Sequence, residues 1–277
     1  MVALSVILAT KNEKEYIGTT LRKLVEAQHE AEKHGVKTEI IVVDSSSDGT
    51  STEAKKYVKN VHRLILDGLA TARNFGANLA KGDILAFMDA DTTVQKSSLV
   101  DLINNFKDTT VVSVVSRVLP SSGRKTLSTV LFYALDGIYV RLCAYLNVLI
   151  RFYNRGDLTA VRKDVFQKIA GFNEKLHMLE ITEMLVKASA YGRVKVLPSP
   201  VFESSRRLAQ WGLLKSYKVW WRNYFSFYVL GHLYDPSYES CRGEKLALES
   251  RSHEKREKKA GNTVTCFLRE VRTRARR

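Results

Sequence analysis

Gly82-Asp83-Ile84-Leu85-Ala86-Phe87-Met88-Asp89-Ala90-Asp91 sets five consecutive apolar residues between a Gly-Asp pair and an Asp-x-Asp. A run this short, bounded by turn-forming residues, reads as a strand buried on both faces, which is the environment of a central strand in a parallel sheet. Upstream of it, Ala70 to Lys81 reads as a helix that Gly82 ends. Further toward the N-terminus the same alternation repeats. Leu4 to Ala9 is a buried strand; Ile17, Leu21, Leu24 and Val25 follow at helical spacing until His34-Gly35; Glu39 to Val43 and Val61 to Leu66 are further strands. Downstream, Val111 to Val115 is a fifth. Strands separated by helices of this length require right-handed crossovers, so the expected fold is α/β: a mostly parallel, Rossmann-like sheet with helices on both faces.

Past Pro120 the alternation gives way to a long helical region, Leu127 to Arg151, then a strand-like Leu158 to Arg162, a short helix ending at Gly171, and a helix from Thr182 to Tyr191 stopped by Gly192. Beyond Pro200 an aromatic segment holds Trp211, Trp220 and Trp221. The expected organisation is a domain over residues 1–202, with halves 1–118 and 119–202, a helical C-terminal extension over 203–240, and a basic tail over 241–277.

The chain has 277 residues with 44 Lys+Arg against 29 Asp+Glu, and its 45% hydrophobic content excludes disorder of the whole. From Arg251 to Arg277 ten basic and three acidic residues leave +7 of the total +15 in a segment poor in large apolar residues. A solvated tail and an attraction to anionic lipid are compatible readings of it. Cys143, Cys241 and Cys266 lie far apart without metal-ligand spacing, so neither a disulfide framework nor a zinc module is expected, and a reducing compartment fits. The N-terminal apolar run has no basic region before it and leads straight into Lys11-Asn12-Glu13, unlike a secretory signal. Asp136 and Arg141 interrupt the most apolar region, Leu127 to Ile150, and Asn223 to Tyr234 falls short of the ~20 residues a spanning helix needs. The expected location is the cytoplasm, with peripheral attachment to the cytoplasmic face of a membrane.

In open α/β sheets ligands bind beyond the carboxyl ends of the strands. Those ends deliver Thr10-Lys11-Asn12-Glu13, Asp44-Ser45-Ser46-Ser47-Asp48-Gly49-Thr50 and Asp89-Ala90-Asp91. Alternate residues of an extended segment point the same way, so Asp89 and Asp91 can approach one divalent cation. Asp-x-Asp alone also terminates strands for solubility. Likewise Asp44 and Asp48 can cap the next helix, Asn12 can form a local turn, and Arg73 can pair with a sheet-end carboxylate.

Taken in order, Val6-Ile7-Leu8-Ala9-Thr10-Lys11-Asn12-Glu13, Ile41-Val42-Val43-Asp44 with Ser47-Asp48-Gly49-Thr50, Ala72-Arg73-Asn74-Phe75-Gly76, the Gly82 to Asp91 stretch and Gly171-Phe172-Asn173-Glu174 resemble the family 2 glycosyltransferases of the GT-A fold. The resemblance implies an inverting transfer from a nucleotide-diphospho-sugar to an acceptor. It implies that Thr10, Asn12, Glu13 and Asp44 hold the nucleoside, that Arg73 lies near the diphosphate, that Asp89 contacts ribose or metal, and that Asp91 ligates Mg²⁺ or Mn²⁺. A metal there stabilises the departing nucleoside diphosphate. Two departures stand out. The Asp44 to Thr50 loop is a residue shorter than the family commonly has, and the Glu-Asp pair that supplies the general base falls on Glu180-Ile181. Glu180 is the candidate replacement, with Glu183 one turn away on the same face; Glu183 also suits the first turn of a helix through its dipole.

An acceptor that is already anionic, such as a polyprenyl phosphate, needs no base. Aromatic residues interleaved with Arg and Lys from Arg206 to Tyr234 suit either a membrane headgroup layer or a core helix. Ser205-Arg206-Arg207 resembles a family motif near the end of the catalytic region, and Arg206 and Arg207 are candidates for acceptor or diphosphate contact. His177, without a second ligand at useful spacing, reads as structural or peripheral. Three function classes follow: a transferase acting on a lipid or glycan acceptor, a GT-A protein reduced to sugar-nucleotide binding or scaffolding, and, least supported, nucleic-acid binding through the tail.

Overall fold

The computed structural model describes residues 3–65, 68–121, 127–146, 157–176, 178–204 and 206–230, all within one unit spanning Met1–Tyr238. Its centre is β1 (Leu4–Thr10), whose seven residues are all buried. Their side chains alternate between two cores: Leu4, Val6 and Leu8 join one, Ile7 and Ala9 the other. That two-sided burial is why the strand reads as a continuous apolar run. The chain proceeds through α1 (Lys14–Lys33), β2 (Thr38–Asp44), α2 (Thr50–Ala54), β3 (Val61–Arg63), α3 (Leu69–Leu79), β4 (Ile84–Met88), β5 (Thr92–Thr93), α4 (Ser98–Asn105), β6 (Val111–Val115) and β7 (Val118–Pro120). It continues with α5 (Leu127–Leu146), β8 (Leu158–Arg162), α6 (Lys163–Lys168), α7 (Glu180–Ala188), β9 (Arg193–Val196), β10 (Val201–Glu203) and α8 (Arg206–Phe225), and ends in a π-helical turn, Ser226–Leu230.

Seven strands form the main sheet in the order β3-β2-β1-β4-β8-β6-β9. Only β8 is antiparallel to its neighbours. One core packs α1 and α4 on one face through Ile17, Leu21, Leu24, Leu99 and Leu102. The other packs α3, α6 and α7 on the opposite face through Ala72, Phe166, Phe172, Met184 and Leu185. Close approach of α3 to the sheet depends on Gly76, where a Cβ would lie 2.5 Å from the Ile7 side chain.

The expected α/β sheet is present, with shifted edges. The third strand stops at Arg63, and the helix expected from Thr182 begins at Glu180. A second sheet, β5-β10-β7, was not legible in the sequence. Its strands are two or three residues long, too short to show a period. The aromatic segment is also not one helix: Gly212, at φ 72° and ψ 166°, breaks α8 in two. Residues 147–151 of the expected long helix, His177, Ser205, and residues 231–277 with the basic tail lie outside the described residues, as do the side chains of Arg207, Trp211 and Trp220.

Candidate active site

The three polar strand ends meet on one rim. At the end of β2, Asp44 is buried, and its carboxylate accepts hydrogen bonds from Thr10 Oγ1 at 2.7 Å and from the hydroxyls of Ser46 and Ser51. Asn12 adopts a left-handed backbone, φ 56°, which an asparagine tolerates. Its amide donates to Ser46 Oγ at 2.6 Å, and its Oδ1 accepts from the Ser47 amide at 3.0 Å. The Glu13 amide donates to Thr50 Oγ1 at 2.9 Å, while Asp48 accepts from the backbone and hydroxyl of Thr50 and from the Lys14 amide. Thr10, Asn12 and Asp44 therefore lock the loops after β1 and β2 into one platform. Asp48 and Gly49, at φ 92°, form the turn into α2.

Arg73 on α3 is 3% exposed and bridges two carboxylates, donating to Glu180 Oε1 at 2.5 Å and to Asp89 Oδ1 at 2.8 Å. Burial opposes its charge, but Glu180 and Asp89 outweigh that and hold its pKa above the ordinary arginine value. Among the two readings open in the sequence, pairing with a sheet-end carboxylate is what the geometry displays. The neighbouring Asn74 grips the loop before α7: Nδ2 donates to the Phe172 carbonyl and to Glu174 Oε1, both at 2.9 Å, and Oδ1 accepts from the Phe172 amide at 2.9 Å. Gly171, at φ 69°, makes that turn possible, since a Cβ would lie 2.7 Å from Asn74 Oδ1. The Ala72 to Gly76 and Gly171 to Glu174 motifs are thus two halves of one clamp.

Asp91 meets Arg206, the first residue of α8. The guanidinium donates to Glu13 Oε1 at 2.8 Å, lies 3.0 Å from Asp91 Oδ2, and stacks 4.5 Å from the centre of the Tyr16 ring. The small sheet makes this meeting: β10 pairs Phe202 and Glu203 with Thr93 and Thr92, and the Ser204 amide donates to the Asp91 carbonyl at 3.2 Å. Burial pushes the Asp91 carboxyl up to about 6 against the pull of Arg206, with Asp89, Glu13 and Glu203 adding repulsion. For Arg206 burial works against the charge, and the Glu13 bond and Asp91 raise its pKa above the ordinary arginine value. Tyr16, Ser46, Ser51 and Glu203 belong to this constellation without any signal in the sequence that sets them apart.

A divalent cation suits this group of residues. Glu13, Asp89, Asp91 and Glu203 offer hard oxygen donors near one another, with a surplus of negative charge around Asp91. Among the described residues no three potential ligands converge on one point, so a cation would take one or two carboxylates, Asp91 and Asp89, and complete its shell with phosphate oxygens and water, as Mg²⁺ commonly does.

On α7, Ile181, Met184, Leu185 and Ala188 are buried at the spacing of one helical face, and all four belong to the core against the sheet. Glu180 and Glu183, one turn apart, lie outside that stripe. Glu180, buried at the first position of the helix, is held by Arg73; Glu183 pairs with Lys187 at 2.6 Å. The position of the family's usual base is therefore a core position here.

Residues 5–176 match the family described as Glycosyl transferase family 2. The chain belongs to that family. Among curated relatives, it is 24% identical over 233 residues to the probable glycosyltransferase YdaM of Bacillus subtilis (strain 168), covering 79% of this chain and 52% of the relative. Among solved structures, S. aureus TarS 1-349 in complex with UDP-GlcNAc matches with a TM-score of 0.57 at 21% identity, over 73% of this chain and 58% of that one. The mannosyltransferase PcManGT from Pyrobaculum calidifontis, in complex with GDP-Man and Mn²⁺, matches with a TM-score of 0.54 at 21% identity, over 71% and 54%. These neighbours share the GT-A fold of this family 2 chain, which spans about half the length of the Bacillus relative.

Proposed function

We propose that this family 2 chain transfers a sugar from a nucleotide-diphospho-sugar to an acceptor, with inversion at the anomeric carbon. The observation that carries the reading is the rim itself: a hydroxyl-locked platform at Thr10, Asn12 and Asp44 stands beside a carboxylate group at Glu13, Asp89 and Asp91 that the buried Arg73 and the half-buried Arg206 partly neutralise. A divalent cation held by Asp91 and Asp89 would supply charge stabilisation of the nucleoside diphosphate as it leaves. The chain's own residues position the donor. The β1 and β2 loops seat the nucleoside, and Arg206, in contact with Asp91 and Glu13, is placed to meet the diphosphate.

A phosphate acceptor on a lipid, of the polyprenyl phosphate type, is the acceptor we favour. What supports it is that Ile181 faces the core and Glu180 is committed to Arg73, leaving the rim poorly supplied with a base for a hydroxyl; an ionised phosphomonoester attacks without one. The aromatic and basic segment from Arg206 to Tyr234 and the +7 tail support a peripheral position on the cytoplasmic face of a membrane, close to such an acceptor. The same buried Ile181 supports a second reading, a sugar-nucleotide-binding or scaffold protein without turnover.

Release of nucleoside diphosphate from a panel of nucleotide sugars, with and without a polyprenyl phosphate, separates the two. Acceptor-dependent release with inverted product supports transfer, and donor binding without release supports the scaffold. With a hydroxyl acceptor, Glu180→Gln should slow turnover ~10²- to 10⁴-fold if Glu180 is the base, whereas a phosphate acceptor leaves the chemical step nearly unchanged.

A further inference from the structure

The helix α5 buries one side and leaves the other bare. Phe132, Tyr133, Val140 and Cys143 are buried, and Tyr133 donates to Glu203 Oε1 at 2.8 Å, fixing the helix on the small sheet. On its opposite side, Leu131, Leu135, Ile138, Leu142 and Tyr145 recur at steps of four and three residues and are between 47% and 86% exposed. Val130 and Leu146 widen this stripe, which runs about 21 Å at the rise of an α-helix. Exposed apolar surface that is continuous in this way marks a site of contact with something else.

Charge selects the occupant. Residues 124–155 contain five Arg/Lys and a single acid, Asp136, which is half-buried; residues 206–230 contain five Arg/Lys and no acid. The only charged residue among the exposed positions of α5 is Arg141. In a two-fold pairing with a second copy, Arg141 would find no exposed carboxylate on the same face to meet. An anionic bilayer meets both features, taking the apolar side chains below the headgroups and the cations at them. At the end of α8 and in the π-helical turn that follows it, where Tyr224 lies within electrostatic reach of Tyr139 on α5, Trp221, Phe225 and Val229 are exposed at four-residue steps. No helix among the described residues is long and apolar enough to cross a membrane, so contact by these two helices is contact with its surface.

We propose that the exposed stripe of α5, Leu131, Leu135, Ile138, Leu142 and Tyr145, lies against an anionic lipid bilayer and docks the protein there. This deepens the membrane association proposed from the C-terminal segment, rests on that reading, and assigns a separate surface to it. The test uses the full chain without donor or acceptor, so it is independent of whether sugar transfer occurs.

Co-sedimentation with vesicles of phosphatidylcholine plus phosphatidylglycerol should exceed that with phosphatidylcholine alone. Leu135→Glu combined with Leu142→Glu should lower the bound fraction's partition coefficient ~10-fold or more, because two apolar anchors become anionic. The melting temperature of this variant should match the wild type, since both positions are exposed. As a second measurement that preserves the apolar stripe, Ile138→Trp should gain fluorescence that vesicles with brominated acyl chains quench. Unchanged partition in the double Glu variant, or an unquenched Trp at position 138, overturns the proposal. Loss of binding in Trp220→Ala with Trp221→Ala, with the α5 variants unaffected, assigns docking to α8 alone and overturns it too. A lipid-free dimer that the double Glu variant converts to monomer does the same, giving the stripe to a second copy.

Discussion

Arg73 joins the strand end at Asp89 to the start of α7 at Glu180, because a buried guanidinium with five donors satisfies two carboxylates that would otherwise repel. Removing it leaves Glu180 buried beside Asp89 without a counter-charge. Arg73→Met should therefore cost about 3 kcal/mol in urea unfolding, the lower end for a broken buried pair, since the Asp89 side chain is 38% exposed and screened by solvent. Adding Glu180→Leu should recover most of that loss, because an apolar pair of similar volume replaces the ionic one. No recovery in the double variant would mean that the bridge contributes through geometry other than this pair. Asp91 lives in a different setting. It is reachable from the rim, and Arg206 sits on one of its oxygens. Asp91→Asn should abolish cation-dependent donor binding in calorimetry and slow transfer together. A variant that transfers at the wild-type rate in chelator would remove the metal assignment.

At the scale of elements, α7 settles which of its residues face the sheet. The apolar positions 181, 184, 185 and 188 form one stripe, so position 181 is turned into the core while Glu180 is buried at the edge of that stripe against Arg73. Restoring the family's usual base by Ile181→Asp should therefore not raise the transfer rate, and should destabilise the protein by on the order of 3–5 kcal/mol by placing an unpaired carboxylate in the core. A faster enzyme of unchanged melting temperature would show that the helix presents position 181 to the acceptor. The neighbouring strands give the matching lesson for α8. Two short pairings, β5 with β10 and β10 with β7, carry the start of that helix to the rim and so set Arg206 on Asp91.

For the molecule as a whole, the proposed binding of donor and cation at the rim has a consequence for the stability of the fold. A ligand that binds only the folded state stabilises it by about 2.7 kcal/mol at a hundredfold excess over Kd. The cognate nucleotide sugar with Mn²⁺ should therefore raise the melting temperature by several degrees in differential scanning fluorimetry, and chelation should remove most of that gain. An equal shift with and without chelator would argue that Arg73 and Arg206 alone neutralise the diphosphate.

The residue order by itself determined β1 to β4 and β6 of the sheet and the location of its rim, though not β9 or the antiparallel placement of β8, because burial on both faces forces unbroken apolar runs, and turns and strand ends force Gly, Asp and Asn. Leu4 to Thr10, Ile84 to Met88 and the polar residues after them were readable for that reason. The order of the five motifs also carried the family. What the residues became within that frame was decided by tertiary structure. Thr10 and Asn12 spend their polar atoms on the carboxylate, hydroxyl and amide of a loop more than thirty residues away. Arg73 finds one partner sixteen residues on and another 107 residues on, and Arg206 reaches back 193 residues to Glu13. Such pairings have no local period and no propensity signature. They exist only once helix packing and strand register have brought distant charges within a few ångströms, where desolvation makes each depend on the other.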